Sequence, residues 1–222
     1  MAIGKRVFEP GLLARANRGF LYVDEINLLE DHLVDLLIDV AASGENRVER
    51  EGISLVHPAS FVLVGSGNPE EGELRPQLLD RFGLAVEVTT PQVLTERIEV
   101  VRRRESFDRD PHAFLEAYQE AQLALQRKIT AARKSLDKTK VPEIILEKAA
   151  ALCLELQTDG LRGELALMRA ARALAALNGA RQVSQDHLKT VAPMVLRHRL
   201  RRDVLDETTG NDRVNRALSV ID

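Results

Sequence analysis

The chain has 222 residues, of which 45% are hydrophobic and 29% charged, so it can bury a core and form one ordinary domain or two small ones. Its formal net charge of −3 provides no general basic field for nucleic acid, and no apolar run approaches the length of a membrane span. The single cysteine, Cys153, excludes an intrachain disulfide and a cysteine-based metal cluster, and its apolar neighbours favour a buried thiol.

The start of the chain, MAIGKR, has neither the apolar segment nor the small-residue cleavage site of a signal peptide. It also lacks the composition of an organelle transit peptide, which is rich in serine and arginine. We therefore expect the protein in the cytoplasm of a bacterium.

The part of the chain before Pro91 alternates strand patterns with helix patterns. In chain order these are GFLYVDEIN, LLEDHLVDLLIDVAASG, SFVLVGSGN, ELRPQLLDRFG and LAVEVTT. Strands separated by helices predict a parallel sheet with crossover connections, in which ligands bind at the carboxyl ends of the strands. The runs FLYV and FVLV are apolar throughout, which predicts strands covered on both faces.

The part of the chain after Pro91 contains helix patterns only. Prolines predict three helix starts, at Thr90-Pro91, Asp110-Pro111 and Val141-Pro142, where threonine or aspartate can cap the helix. Asn178-Gly179 predicts a helix stop, and Ser184 predicts the start of the next helix. The sequence therefore predicts a helical linker followed by a small helical bundle.

Two adjacent acids, Asp24 and Glu25, follow the apolar strand pattern of residues 21–23. Asp24 could hold the Mg²⁺ of a Mg-nucleotide, usually through water, and Glu25 could polarise an attacking water. Because side chains alternate along a strand, the two acids could point differently and take these two roles. A solvated strand end before a helix, whose first turn favours acids, explains the pattern equally well.

Two further polar residues could act on a phosphate. Asn68 follows the second apolar strand and could orient water against a terminal phosphate, although in isolation a turn role before Pro69 is favoured. Arg81 lies in a short helical pattern and could be an arginine finger, which stabilises charge on a transferring phosphoryl group. A surface ion pair of Asp80 and Arg81 is the alternative.

These segments, in this order and spacing, resemble the second half of an AAA+ ATPase core. The runs FEPGLLARANRG at 8–19 and GNPEEGELRPQLLDRFGL at 67–84 resemble the ATPase I subunit of magnesium chelatase, in the helix-2-insert branch. The resemblance covers nearly the whole chain. It implies an α/β fold with a partial AAA+ parallel-sheet core at 1–90, a helical linker at 91–140 and an all-α lid bundle at 141–222.

Carried over to this chain, the resemblance implies one role for each of five residues. Asp24 and Glu25 become the Walker B acids, with Asp24 on Mg²⁺, and Asn68 becomes the sensor 1 residue. Arg81 becomes the arginine finger that acts on a neighbouring subunit's ATP. Arg162, in the run DGLRGE, becomes the sensor 2 arginine.

The resemblance also implies a β-hairpin before sensor 1, over Asn46 to Val56, with Glu51-Gly52 as its turn. It implies ATP and Mg²⁺ as cofactors and a motor that couples ATP hydrolysis to Mg²⁺ insertion into protoporphyrin IX in (bacterio)chlorophyll synthesis. Its partners would be further copies in a ring, a D subunit and a porphyrin-binding H subunit. The alternatives are an AAA+ chaperone-like remodeller and a truncated, non-catalytic assembly module.

The 222 residues contain no phosphate-binding loop of the form G-x-x-x-x-G-K-[ST]. Gly4-Lys5-Arg6 lacks the upstream glycine and carries arginine where serine or threonine would bind Mg²⁺. We therefore expect no ATP hydrolysis by this chain alone. A sheet without its first strands is also expected to expose an edge and an apolar face.

The remaining polar residues predict no further site. The basic run Arg197–Arg202 is expected to interact with a helix C-terminus, and Arg102–Arg104 to form a solvated face. The polar tail after Arg202 is expected to be loosely ordered. Five dispersed histidines predict surface or core positions rather than metal ligands, namely His32, His57, His112, His187 and His198.

Overall fold

The structure is a computed structural model that describes residues 9–50, 53–72, 74–200 and 209–220. The chain divides into two compact units, Met1–Phe82 and Gly83–Asp222. Four sequence features lie outside the described residues, namely Gly4-Lys5-Arg6, Phe8, the Glu51-Gly52 turn and the end of the basic run at 201–202.

The first unit mixes helices and strands. Its elements are α1 (Leu12–Ala16), β1 (Phe20–Val23), α2 (Asp31–Ser43), β2 (Glu45–Arg50), β3 (Ile53–Pro58), β4 (Val62–Gly65) and α3 (Pro76–Leu79). A short 3-10 turn over Ile26–Leu28 follows β1. The alternation of strands and helices is the one that the sequence predicts.

Strands β1 and β4 form a parallel pair, with Phe20 opposite Val62 and Val23 opposite Gly65. Helix α2 shares two apolar clusters with this pair. One cluster contains Leu21 and Val40, and the other contains residues of α2 and α3. Helix α2 ends at Gly44, whose φ of +75° is left-handed, a conformation that glycine adopts without strain.

The other face of the β1–β4 pair is open. Phe20, Tyr22, Val62 and Val64 are all exposed, and Phe20 retains 74% of its accessible surface. The prediction that both faces are covered is therefore wrong, because α2 covers one face and no described element packs on the other. The prediction of an exposed apolar face is confirmed.

Strands β2 and β3 form an antiparallel hairpin in which Arg50 lies opposite Ile53. The hairpin over Asn46 to Val56 is confirmed, and its strands reach one or two residues further on each side.

No strand forms over residues 84–90, where LAVEVTT predicts one. Val86 and Val88 are exposed, Ala85 N donates to Met194 O (2.8 Å), and Glu87 pairs with Arg197 (3.1 Å). The prediction is wrong because a strand needs a paired neighbour, and no described strand lies beside this segment.

The second unit is helical. It contains α4 (Leu94–Arg109), α5 (Pro111–Ser135), α6 (Glu143–Glu155), α7 (Arg162–Leu177), α8 (Gln185–Leu196) and α9 (Gly210–Val220). One buried cluster joins α6, α7, α8 and α9. Within the described residues, no helix combines the length and the apolar character needed to cross a membrane.

The start of α5 is as the sequence predicts, because Pro111 is its first residue and the Asp110 side chain accepts a hydrogen bond from Ala113 N (3.0 Å). Helix α6 begins one residue after Pro142. The predicted start at Pro91 is wrong. Helix α4 begins at Leu94, after a local turn in which Gln92 Nε2 donates to Thr90 O (2.9 Å).

The stop of α7 and the start of α8 are confirmed. Helix α7 ends at Leu177, and Gly179 has a left-handed φ of +72°. Ser184 caps α8 reciprocally, because its hydroxyl accepts from His187 N and its own N–H donates to His187 Nδ1 (3.0 Å). This is a capping box in which histidine replaces the usual acid.

The expectation of a loosely ordered tail is wrong for residues 210–220, which form α9. Val214, Ala217 and Leu218 are buried against the other helices of the unit. These three residues lie at helical spacing on one face, so a tail that is polar on average still carries an apolar stripe.

Candidate functional site

The candidate site lies where β1 and β4 end side by side. Because the two strands are parallel, Asp24 and Glu25 after β1 meet Ser66 after β4 at one edge. Two backbone hydrogen bonds continue the pairing beyond the strands, from Ser66 N to Val23 O (3.0 Å) and from Ile26 N to Ser66 O (2.8 Å).

Asp24 is exposed at this edge, and its Oδ1 accepts hydrogen bonds from two hydroxyls. Ser66 Oγ donates to it, and the Tyr22 hydroxyl donates to it over 3.0 Å. The hydrogen bond from Ser66, and next the one from Tyr22, lower the pKa of the Asp24 carboxyl, because both stabilise the charged form. An anionic, accessible oxygen donor suits Mg²⁺, which retains most of its waters in nucleotide sites.

Glu25 follows in a left-handed conformation with φ of +51°, which is uncommon for a residue other than glycine. Its N–H lies 3.3 Å from Ser66 Oγ, and its side chain is exposed. Since β1 ends at Val23, before both acids, the turn at Glu25 sets their relative direction. The sequence predicted that the two acids point differently because side chains alternate along a strand. That reason is wrong, because neither acid lies in the strand.

Asn68 occupies a turn. Its Oδ1 accepts from Glu70 N (3.1 Å), and its carbonyl accepts from Asn27 Nδ2 (3.2 Å). Asn27 also donates to Gly72 O (3.1 Å), so it ties the segment after β1 to the loop after β4. A Cβ on Gly67 would lie 2.7 Å from Asn27 Oδ1, so a larger residue at this position would displace the Asn27 side chain.

Arg81, just after α3, is held by two acids of α2. Its guanidinium donates through Nη1 to Asp35 Oδ1 (2.6 Å) and through Nη2 to Asp39, and its side chain is 27% exposed. Arg75 pairs with Asp31 of the same helix (2.5 Å). The three acids are four residues apart and so share one face of α2.

Arg162 belongs to the second unit, where it is the first residue of α7 and is exposed. The structure thus brings Asp24 and Glu25 together with Ser66 and places Asn68 two residues further along the same loop. Arg81 lies on the α2 side of the first unit, where it is engaged with carboxylates of its own chain.

Two families match separate parts of the chain. Residues 1–77 match the family described as "Magnesium chelatase, subunit ChlI", and residues 146–217 match the family described as "AAA lid domain". The "Magnesium-chelatase 38 kDa subunit" of Acidiphilium rubrum is 65% identical over 221 residues, which are 100% of this chain and 64% of that protein. Residues 1–77 therefore belong to the magnesium chelatase I subunit family, and the chain is similar to members of that family over its whole length.

The chain is also similar to a second curated relative and to a solved structure. The "Magnesium-chelatase 38 kDa subunit" of Rhodobacter capsulatus is 62% identical over 97% of the chain and 61% of its own length. The chain therefore spans less than two thirds of these relatives. A crystal structure of a putative ATPase from Cytophaga hutchinsonii matches with a TM-score of 0.67 at 18% identity, over 90% of this chain and 64% of that one. The predicted α/β fold with a lid bundle is confirmed.

Sequence reasoning missed three residues of the candidate site, namely Ser66, Tyr22 and Asn27. The signal for Ser66 was present, because it is the first polar side chain after FVLV, in the same position relative to β4 as Asp24 is to β1. Tyr22 was interpreted only as an apolar strand residue. Asn27 had no distinguishing pattern, since its role depends on a loop 41 residues away.

The residues predicted to lie outside any site are mostly placed as expected. Cys153 is buried, and burial raises the pKa of its thiol to about 11. Arg199 donates to Val195 O in the last turn of α8, which is the expected contact with a helix C-terminus. The exposed Arg103 pairs with Glu99 one turn before it (2.7 Å).

Proposed function

We propose that this chain is the larger part of the ATPase motor subunit of a magnesium chelatase, which couples ATP hydrolysis to Mg²⁺ insertion into protoporphyrin IX in (bacterio)chlorophyll synthesis. The observation that carries the proposal is the 65% identity, over all of this chain, to a protein named as a magnesium chelatase subunit. The relatives from Acidiphilium rubrum and Rhodobacter capsulatus, at 65% and 62% identity, support a bacterial protein, and we place it in the cytoplasm as part of this proposal.

In this proposal the strand-end edge holds the Mg-nucleotide. Asp24 binds Mg²⁺ through water, and its anionic, hydroxyl-bonded carboxylate supports that role. Glu25 polarises the attacking water, and the exposure of its side chain supports that role. Asn68 orients the water through the part of its side chain that the Asx turn does not engage.

The two arginines act between subunits of a ring. Arg81 completes the ATP site of a neighbour, and Arg162 contacts an adjacent subunit's phosphate. Arg81 keeps about a quarter of its side chain exposed while Asp35 and Asp39 bind it, so a neighbouring phosphate would compete with these carboxylates. A D subunit in the ring and an H subunit that binds the porphyrin complete the enzyme.

The test uses a chimera that adds to this chain the part of the Acidiphilium rubrum subunit that it does not match. We expect Mg²⁺-dependent ATP hydrolysis and, with D and H subunits, conversion of protoporphyrin IX to its magnesium form, followed by fluorescence. Glu25→Gln should preserve nucleotide binding and reduce hydrolysis by orders of magnitude, because it removes the group that acts on water in the transition state.

The matched control is Glu30→Gln, which neutralises an exposed acid five residues further along that pairs with His32 rather than with the strand ends. Hydrolysis by Glu25→Gln at the rate of Glu30→Gln would refute the role of Glu25. A chimera that hydrolyses ATP without converting the porphyrin would favour the chaperone-like remodeller. A chimera that binds D subunits without any hydrolysis would favour a non-catalytic assembly module.

A further inference from the structure

Ser66 is bound to the segment around Asp24 through both its main chain and its side chain. Its N–H donates to Val23 O (3.0 Å), and its carbonyl accepts from Ile26 N (2.8 Å). These two bonds flank Asp24, one residue before it and two residues after it. These two backbone hydrogen bonds therefore hold the Cα of Ser66 in a fixed position relative to Asp24.

The side-chain hydroxyl of Ser66 is engaged by this one segment. Its oxygen accepts from Glu25 N (3.3 Å), and it donates to Asp24 Oδ1. An ionised carboxylate accepts hydrogen bonds and has no proton to donate, so the proton of this contact comes from the Ser66 hydroxyl. The Tyr22 hydroxyl lies 3.1 Å from Ser66 Oγ and uses its own single proton on Asp24 Oδ1 (3.0 Å).

Asn68, the residue that sequence reasoning selected on this loop, makes no described hydrogen bond to Asp24. Its side-chain oxygen accepts from Glu70 N within its own turn. Tyr22 contributes a second donor to Asp24 Oδ1, but it belongs to β1, the strand that directly precedes Asp24. Among the described residues that follow β4, Ser66 is thus the one whose side chain is hydrogen-bonded to the Asp24 carboxylate.

We propose that Ser66 is a positioning residue that fixes the Asp24 carboxylate in the orientation in which it receives the magnesium ion of a Mg-nucleotide. The proposal rests on the proposed function for its ligand, and on the hydrogen bonds above for its geometry. Outer-shell partners that orient a metal ligand commonly change metal affinity or activity by about 10- to 100-fold when they are removed.

The first experiment needs no nucleotide. In the 222-residue chain, NMR couplings report whether the Asp24 side chain holds one χ1 rotamer or averages over several. We expect one rotamer in the wild type and in Ser66→Thr, which keeps a hydroxyl, and averaging in Ser66→Ala. Averaging in the wild type, or a single rotamer in Ser66→Ala, would overturn the proposal whatever the protein's function.

The second experiment measures binding of a fluorescent ATP analogue to the chimera while magnesium chloride is titrated. Ser66→Ala should raise the Mg²⁺ concentration at half-maximal binding by about tenfold, at the low end of outer-shell effects, and should leave Mg²⁺-free nucleotide binding unchanged. Ser66→Thr should restore the wild-type value. Ser54→Ala is the matched control, because it removes a serine–carboxylate hydrogen bond to Glu49 (3.3 Å) on the hairpin.

The outcomes separate structure from positioning. A Ser66→Ala variant that melts at a lower temperature but needs the same Mg²⁺ concentration as Ser54→Ala would assign Ser66 a purely structural role and overturn the proposal. Mg²⁺-dependent binding that responds to Ser66→Ala, in a chimera without chelatase activity, would support the positioning role and count against the proposed function alone.

Discussion

The two units of the molecule bury their apolar side chains in different ways. In the second unit, residues from α6, α7, α8 and α9 form one continuous buried cluster. In the first unit, two smaller clusters lie beside α2, and the opposite face of the β1–β4 pair carries exposed Phe20, Tyr22, Val62 and Val64. Similar apolar runs are therefore buried in one unit and half exposed in the other, so burial depends on which faces have a partner.

Ion pairs also connect elements of the first unit. Arg75 and Arg81 connect the α3 region to Asp31, Asp35 and Asp39 of α2. Exposed ion pairs contribute little free energy individually, whereas a buried leucine contributes several times as much. We therefore expect substitutions in the second core to cost most and substitutions in the charged contacts of the first unit to cost least.

The largest effect is expected for Leu167→Ala, which removes a fully buried side chain of α7. The free energy of unfolding of the second unit should fall by about 2–5 kcal/mol, because lost burial and a residual cavity add. The matched control is Leu165→Ala, on the same helix but 56% exposed, which should change it by less than about 0.5 kcal/mol.

The chain provides its own probe for this measurement. Cys153 is its single cysteine and lies in this core, where burial raises the pKa of the thiol to about 11. At pH 8 the folded chain should therefore react slowly with a thiol reagent, and alkylation in increasing urea should report opening of the second unit. Equal urea midpoints for the two leucine variants would contradict a single continuous core.

A smaller effect is expected in the first unit for Leu21→Ala, compared with Phe20→Ala on the neighbouring position of β1. Leu21 is buried in a small cluster that can collapse around a cavity, so we expect a cost near the lower limit of about 2 kcal/mol. Phe20→Ala should leave stability within about 0.5 kcal/mol and should reduce binding of the dye ANS, because it removes exposed apolar surface. A large loss of stability in Phe20→Ala would show that this face is covered in solution.

Local signals predicted the elements of both units well. The apolar runs at β1 and β4, the helical spacing of α2, and the caps at Asp110 and Ser184 all act within a few residues, and the structure confirms them. The apolar runs by themselves wrongly predicted two covered faces of the sheet, and the run at 84–90 wrongly predicted a strand. Both outcomes depend on partners that are remote in the sequence.

The candidate site shows the same limit. The acids Asp24 and Glu25 were found because they end an apolar strand, which is a local pattern. Ser66 was missed because its role arises only when the parallel register brings the end of β4 beside the end of β1. The roles assigned to Asp24, Glu25, Asn68, Arg81 and Arg162 all stay predictions.

The smallest effect is expected for the ion pairs of Arg81. A double-mutant cycle would combine Arg81→Ala with the paired change Asp35→Asn and Asp39→Asn, and hydrogen exchange of α2 would give the local stability. We expect a coupling of about 0.5–1 kcal/mol, because the guanidinium engages two carboxylates and is only 27% exposed.

The control cycle uses Arg104 and Asp108 on α4, an exposed pair at 2.7 Å in which the arginine is 72% exposed. Its expected coupling is about 0.3 kcal/mol. Raising the salt concentration to 1 M should weaken both couplings through screening, and should weaken the exposed pair more. If the Arg81 cycle gives no more coupling than the control, α2 does not hold this arginine in solution, and charge does not replace apolar packing in the first unit. If the coupling is present, it measures the competition that a neighbouring subunit's phosphate must overcome to engage Arg81.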